Sequence, residues 1–549
     1  MCRFLVTVGE VDDNEFGDSL SLMERGGPDY TKIIKKNSNG KKILMGHNRL
    51  AIIDLDDRSA QPMVYSEDDS EYILVFNGEL YNFKDLSEFF TTLETTGDTE
   101  VLLRFLKDSI DENGYFDVAN LSLLNGEMSF VFITPLEIIA HRDSSGTKPL
   151  YIHDDEFLAF SSEIRPITEL ANLVPDMTES ATYMEYGFNP GKGTPFKEIS
   201  SLFPGDAVVY NLENGIVKYH QISRDLTIGE KYVSIEKALR ESVKERLVAD
   251  VPISLTLSGG LDSSILCYLM KDLGAEFTAY CLTMEGMEDE YMKAKKVADH
   301  YKVPLVNIVI TAKEILENID DLIYRIEEPI DKGSLIPTYF LAKGIKEKVT
   351  LIGEGADECF GGYNRHAVLF KKGKILNIDA MIGEFYRIWD TGVEDIPTFN
   401  KLYDNLGEEN YLTELDLSNE IPFYHCMRID KMMMSFGIEA RVPFLDKKIT
   451  SIGMITPEKD KIEPPKNILR EAFRGKIPDW ILDTPKSALK IPFEKLVILP
   501  EIKNVIQTEK PAWIPKWDID KKYDELGKRN NAKGLWLLYL LIKVIKTYK

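Results

Sequence analysis

The chain has 549 residues, 44% of them hydrophobic and 10% aromatic; this is globular composition, and more length than one ordinary core uses, so two domains are expected. Its 90 acidic and 66 basic residues give a formal charge of −24, which argues against nucleic-acid binding through a broad basic face and against adhesion to anionic membranes. The five cysteines, Cys2, Cys267, Cys281, Cys359 and Cys426, are odd in number and show no CxxC spacing, which points to a reducing compartment rather than a disulfide scaffold.

In chain order, CRFLVTV (2–8), KKILMGHNRLAIID (41–54), EYILVFNGEL (71–80), NGEMSFVFITP (125–135), PLYIHD (149–154), EFLAFSS (156–162) and DAVVYNL (206–212) read as short strands. Each is rich in β-branched or aromatic residues, with Gly, Asn, Asp or Pro between them. TEVLLRFLKDSI (99–110) interrupts them with apolar residues on one helical face. The first 210 residues therefore predict a β-rich domain with packed helices. After a polar connection, ISRDLTIGEKYVS (222–234), the texture changes. Strand-like VPISLTL (251–257), FTAYCLTM (277–284), PLVNIVI (304–310) and KVTLIG (348–353) alternate with helical SIEKALRESVKERLV (234–248), SSILCYLMKDL (263–273) and KAKKVADHY (293–301). That alternation predicts a parallel sheet with helices on both faces, followed from about 365 by a largely helical chain.

LWLLYLLI (535–542) is far shorter than the ~20 residues of a membrane span and reads as a helix docked on a core. Arg3, Glu10, Asp12 and Asp13 rule out a signal-peptide apolar region, and the seven histidines form no zinc pattern. A soluble, cytoplasmic protein is expected.

The strand VPISLTL runs directly into SGGLDSS (258–264) and then a helix. Gly259 and Gly260 let backbone N–H groups approach an anion, and the helix N-terminus adds its positive dipole end. Ser258, Ser263 and Ser264 add hydroxyl donors. No GK[ST] follows, so this is not a Walker loop; Asp262 suits a Mg²⁺ that neutralises a departing pyrophosphate. The plainer reading is a turn in which Asp262 and Ser263 cap the helix. Further on, Glu354, Asp357 and Glu358 follow a buried-looking strand, among Gly353, Gly355, Gly361 and Gly362, where parallel sheets bind ligands.

SGGLDSS closely resembles the pyrophosphatase loop of the asparagine synthetase and adenylate-forming amidotransferase family, and the resemblance covers nearly the whole chain. GEGADECFGGY (353–363) is similar to that family's second acidic motif, SFGIEARVPFLD (435–446) to its GVEARVPFLD signature, and KNILREAF (466–473) to its K-x-x-L-R segment. The resemblance implies an ATP site at Leu257, Ser258, Gly259, Gly260, Leu261, Asp262, Ser263, Ser264, Tyr280, Ile352 and Gly353. It also implies Mg²⁺ on Asp262 and Asp357, Glu354 as the base that takes a proton from attacking ammonia, and Lys466 offsetting negative charge on the reacting oxygens.

The opening MCRFLVTVGE acquires a meaning from the same family, whose glutamine-using members begin Met-Cys. With Met1 removed, Cys2 carries a thiol and an α-amine that titrates near pH ~8, close to a thiol's ~8.5, so it serves as its own base. His47 is then read as structural. HNRLAIID (47–54) and FNGELYN (76–82) resemble the family's glutamine-site segments. Arg49 would grip the α-carboxylate, with Leu50 and Ile53 alongside, and Asn77 and the Gly78 N–H would form an oxyanion hole. Glu79 and Asp98 would hold the ammonium. The plainer reading of Asn77-Gly78 is a hairpin turn.

The implied architecture is an αββα N-terminal-nucleophile-type sandwich over 2–210, the glutaminase domain. The synthetase domain, 225–549, is a doubly wound parallel sheet with a helical C-terminal region. The expected activity is that of a carbon–nitrogen ligase using glutamine, aspartate and ATP with Mg²⁺, with a homodimer as candidate assembly. Relatives that amidate sugar acids or peptide carboxylates remain the alternative for the acceptor. Ring-closing relatives need no ammonia and are disfavoured by Cys2, Arg49, Asn77 and Asp98. A catalytically dead binding protein is disfavoured by Cys2, Asp262 and Glu354. EEPIDKGSLIP (327–337) is a weak candidate for acceptor contacts. The chain departs from the family pattern at RGGPDY (25–30), with an added glycine, and at Ile352, where serine is usual. It also has Thr256 and Leu257 before SGG and Tyr280 at the adenine position.

Overall fold

The computed structural model describes residues 2–222, 234–372, 387–391, 411–484, 491–514, 516–528 and 530–548. Most of the polar connection expected at 222–234 lies outside the described residues. Twelve strands build the first half: β1 Cys2–Val8, β2 Tyr30–Ser38, β3 Lys41–Arg49, β4 Met63–Glu67, β5 Ser70–Leu80, β6 Gly126–Ile133, β7 Glu137–Arg142, β8 Tyr151–Asp154, β9 Leu158–Ser161, β10 Ile199–Ser201, β11 Asp206–Asn211 and β12 Val217–Gln221. They form two six-stranded sheets, ordered β10-β8-β9-β1-β3-β2 and β12-β11-β7-β6-β5-β4. The second sheet thus continues past residue 210, because β12 pairs antiparallel with β11. Asn77 and Gly78 are not a hairpin turn: they lie inside β5, paired with Ser129 and Met128 of β6.

Strand periodicity of two explains the layering. Phe4, Val6 and Val8 of β1, Ile43 and Met45 of β3, Ile73 and Val75 of β5 and Val131 and Ile133 of β6 meet in one apolar layer between the sheets. The alternate residues face outward. Leu74, Phe76, Phe130 and Phe132 pack on Val101, Leu102 and Leu106 of the helix Asp98–Asp108. Leu5, Leu44 and Tyr151 join Phe16 and Leu20 of the helix Asp13–Ser21. Helices therefore flank both sheets, the αββα order expected.

The second half carries β13 Ile253–Thr256, β14 Phe277–Met284, β15 Leu305–Ile310, β16 Val349–Leu351 and β17 Glu439–Arg441, all parallel, in the order β15-β14-β13-β16-β17. The chain winds outward from β13 to β15, then crosses back to β16 and β17. The carboxyl ends of β13 and β16 thus lie side by side at a switch point. SGGLDSS follows the first of these strands and GEGADE the second, so topology brings together motifs almost 100 residues apart in sequence. LWLLYLLI lies in the helix Asn531–Thr547 and is buried in a core that also contains Leu5, Phe16 and Tyr183 of the first half.

The halves also meet through buried charges. Arg3 pairs with Asp430 (2.7 Å) and Glu163 (2.7 Å). Arg246 pairs with Glu127 (2.8 Å) and Asp446 (3.2 Å), and Arg441 with Glu79 (3.2 Å). Arg3, Arg246 and Arg441 are each at most 1% exposed. Removing one partner of such a pair strands the other in low dielectric. Arg246→Met should therefore cost about 3–5 kcal/mol, read as a lower urea midpoint, and adding Glu127→Gln should recover part of it. An unchanged midpoint in the single variant would show that the seam carries no such load.

Candidate functional site

The first cluster stands where the sandwich's inner layer turns from apolar to polar. Continuing the inward positions of β1, β3 and β5 gives Cys2, His47 and Arg49, then Asn77 and Glu79. Cys2 is opposite Arg49 in the β1–β3 register, and its backbone N–H donates to Asn77 Oδ1 at 3.2 Å. Burial pushes the Cys2 thiol up, partly offset by the nearby amino terminus, the Leu50 backbone and Arg49. Asn77 Nδ2 is buried and has no partner among the described residues, a spare donor next to the thiol. Gly78 has φ +141°, and an added Cβ would fall on the Glu127 carbonyl, so only glycine fits.

Arg49 donates to the carbonyls of Asp56 (2.8 Å) and Asp54, which leaves further guanidinium donors for a ligand. Leu50 and Ile53 pack into the second half's core. Asp98 heads its helix and accepts the Leu80 N–H at 2.9 Å; burial pushes its carboxyl up to about 6. Burial and Glu439 push Glu79 well above its usual range, despite Arg441. Two buried acids in this condition favour a cation between them. His47 takes no part: it bonds the Phe76 carbonyl (3.3 Å), and burial lowers it to about 3.

The second cluster surrounds a cavity of about 630 Å³ at the β13/β16 switch point. Leu257, Ser258, Gly260, Leu261, Asp262, Ser263, Tyr280, Ile352, Gly353, Glu354, Asp357 and Lys466 all line it. Ser258 and Ser263 hydroxyls lie 3.1 Å apart, and the Gly260 N–H donates to Ser258 Oγ at 3.2 Å, which shapes the loop. Two expected ATP contacts lie behind this wall. Gly259, at φ +74°, presses against the helix Asp289–Tyr301, and Ser264 is fully buried in the helix Leu261–Asp272. Burial and the neighbouring Glu347 raise the Tyr280 phenol above its usual range. Of EEPIDKGSLIP, only Ser334 and Pro337 reach the cavity, whereas Glu327 and Glu328 pair with Lys431 and Asp331 accepts from Trp536 (2.8 Å).

Lys466 Nζ bridges Asp262 Oδ2 (2.5 Å) and Asp357 Oδ1 (2.7 Å). Burial opposes its charge, but the two carboxylates hold its pKa above the usual lysine value. Two facing carboxylates already gathered around one cation fit Mg²⁺, which takes few protein oxygens and completes its shell with phosphates and water. Among the described residues no group of three or more His, Cys, Asp or Glu offers a metal site made by protein alone.

Glu354 brings in residues the sequence did not announce. Its Oε1 accepts from both His425 Nδ1 and Arg428 Nη2 (3.0 Å). Burial would raise its pKa, yet these two charges bring it to about 2, and Glu358 and Glu354 in turn raise the buried His425 to about 9. His425 ends a π-helical stretch, Asp416–His425, and Arg428 lies one turn on in the helix Cys426–Met434. Their i, i+3 spacing presents both to Glu354. That spacing is the one sequence signal, and it names no partner.

Fold and site together define a two-part protein: a sandwich bearing the buried Cys2 thiol, joined to a parallel-sheet unit with an acid-lined cavity at its switch point. The chain belongs to the asparagine synthase family, whose model matches residues 234–511, and it carries a glutamine amidotransferase domain, matched over 1–220. Asparagine synthetase (glutamine-hydrolyzing) 1 of Bacillus subtilis is 27% identical, over 90% of this chain and 88% of that protein. A putative asparagine synthetase (glutamine-hydrolyzing) 2 of Methanocaldococcus jannaschii is 30% identical, over 65% of this chain and 74% of its own length. Asparagine synthetase B (glutamine-hydrolyzing) of Escherichia coli is 28% identical, over 83% and 75%. No helix among the described residues is long and apolar enough to cross a membrane.

Two expectations come from this geometry. A Cβ at Gly259 would meet Ala294 N and Lys293 C at 2.5 Å with φ at +74°, while one at Gly260 meets only Ser258 Oγ at 3.3 Å. Gly259→Ala should weaken ATP binding roughly tenfold, since a left-handed non-glycine residue costs ~1–2 kcal/mol, and should exceed Gly260→Ala in a calorimetric titration. Equal effects would show that the close approach is not what matters. Separately, the raised His425 pKa stabilises the fold fully below pH 6.5 and is lost as pH rises through about 9. The thermal gap between wild type and His425→Gln should therefore shrink across that window by the equivalent of about 3 kcal/mol. Parallel curves would mean that His425 is not charged.

Proposed function

We propose that this protein is a cytoplasmic, glutamine-dependent asparagine synthetase that amidates the β-carboxylate of aspartate. The observation that carries the reading is the Lys466 ammonium held between Asp262 and Asp357, where the serine- and glycine-rich loop meets the second acidic motif. The relatives' names supply the glutamine and asparagine halves of the reading.

In the first half, Cys2 freed of Met1 attacks the side-chain amide of glutamine, and its α-amine takes the thiol proton. Asn77 Nδ2 and the Gly78 N–H receive the developing oxyanion, a preorganised pair that needs no rearrangement as charge appears. Arg49 takes the α-carboxylate, and the ammonium relieves the burial of Glu79 and Asp98. Ammonia leaves, and water then releases glutamate from the thioester.

In the second half, the aspartate β-carboxylate attacks the α-phosphorus of ATP, forming the acyl-adenylate and releasing pyrophosphate against Ser258, Gly260 and Ser263. Lys466 offsets the charge gathering on the transferring oxygens. Asp262 and Asp357 would hold the Mg²⁺ that accompanies ATP, which when bound would supply charge neutralisation to the pyrophosphate. Ammonia attacks the acyl carbon, AMP departs, and ionised Glu354 accepts the proton the new amide nitrogen must lose.

The test measures pyrophosphate and asparagine from MgATP and ammonium, with and without L-aspartate. Aspartate-dependent formation of both is expected. Cys2→Ala should lose glutamine-dependent synthesis by at least about 100-fold, while ammonium-dependent synthesis persists. Glutamine hydrolysis without aspartate-dependent pyrophosphate would sink aspartate as the acceptor.

A further inference from the structure

His425 is buried between two sets of carboxylates. Its Nδ1 bonds Glu354, which lines the cavity. Its Nε2 faces Glu358 Oε1 at 3.2 Å and Glu420 Oε2 at 3.7 Å, acids that do not line it. Those inner acids have other partners: Tyr363 donates to Glu358 (2.5 Å), and Arg365 (3.0 Å) and Lys332 pair with Glu420. Only an imidazole protonated on both nitrogens can donate both ways. His425 and Arg428 converge on one oxygen of Glu354, Oε1, and Glu354 Oε2 accepts no hydrogen bond among the described residues.

A carboxylate with free rotation spreads its lone pairs over many directions. One held through a single oxygen by two cationic donors offers the other oxygen in one direction only. We propose that His425 is a positioning residue that fixes Glu354 so that its Oε2 meets the nitrogen entering the acyl-adenylate. The inference rests on the proposed function, because it assigns His425 to the amide-forming step rather than to adenylation. His425 touches neither the phosphate loop nor Lys466, whereas Glu354 stands between it and the cavity. The helical geometry supports the assignment. A π-helical stretch ending at His425 turns its ring and the Arg428 guanidinium to the same carboxylate, and such stretches gather at functional sites.

The test separates the two contacts of the ring. Asparagine places its amide N–H where Nδ1 stands, keeping the bond to Glu354; glutamine reaches the Nε2 position, keeping the contact with Glu358. The measured quantity is asparagine formed per pyrophosphate released, at saturating ammonium, aspartate and MgATP. An acyl-adenylate that meets poorly placed ammonia is hydrolysed instead, so this ratio falls when positioning fails. His425→Gln should lower the ratio about tenfold or more, the scale of a misplaced catalytic group, and His425→Asn should restore most of it. In a Glu354→Gln background, His425→Gln should add little further loss, because both act through one carboxylate.

A ratio unchanged in His425→Gln, or lowered equally in both variants, overturns the assignment while leaving the synthetase reading intact. Wild-type protein that makes no aspartate-dependent pyrophosphate overturns both. Because the readout is a ratio, a variant that is merely less well folded loses both products together and leaves it at the wild-type value.

Discussion

The rest of this structure depends on the seam of ionised side chains buried between the halves. Charges withdrawn from water are tolerated only where each finds its partner at the right distance. Arg3, Glu127 and Glu79 on one side meet Asp430, Arg246 and Arg441 on the other, so sliding one half against the other would leave several buried charges unpaired at once. An apolar interface would permit small shifts at little cost. This one behaves as a register, and it fixes where each site lies relative to the other.

Two elements show how closely the register and the sites are joined. The helix Cys426–Met434 sends Asp430 and Lys431 into the seam, toward Arg3 and Glu327, and Arg428, Ile429 and Met433 into the cavity wall. β17 sends the Arg441 side chain to Glu79, beside the Cys2 cluster, while its carbonyl receives the Ile352 N–H at 2.9 Å, next to Gly353 and Glu354. Arg3 adjoins Cys2 in β1. The thiol cluster and the acidic motif are therefore anchored to the same buried charges.

Much of this was legible before the structure, because it follows local rules. The period-two strands of the sandwich, the strand–helix alternation beyond it and the glycine-rich turn at 258–264 each state their geometry in consecutive residues. β17 was hidden, since three residues inside EARVPFLD carry no periodicity. The seam was hidden for a stronger reason. Acidic residues read most naturally as solvated surface, yet Glu127, Glu163, Glu327 and Asp430 all pair with cations brought from elsewhere in the chain. The same effect hides the acids of EEPIDKGSLIP, of which Glu327 and Glu328 pair with Lys431 and Asp331 accepts from Trp536. His425 and Arg428 lie 71 and 74 residues from Glu354 in sequence, and no short-range pattern joins them.

The two sites and the residues behind them share one electrostatic arrangement. Acids are brought close together inside the protein, where their repulsion and desolvation are large, and cations from distant elements offset them. Arg441 does this for Glu79, Lys466 for Asp262 and Asp357, and His425 for Glu354 and Glu358. Lys466 takes a left-handed backbone, φ +60°, which a lysine adopts only where its surroundings compel it. Under the proposed function each of these cations stands where the reaction would bring positive charge: an ammonium near Glu79, a divalent ion near Asp262 and Asp357, a nitrogen losing its proton near Glu354. The fold thus holds its acids close beside cations; burial still pushes Glu79 and Asp98 above the usual carboxylate range, whereas His425 and Arg428 keep Glu354 ionised despite its burial.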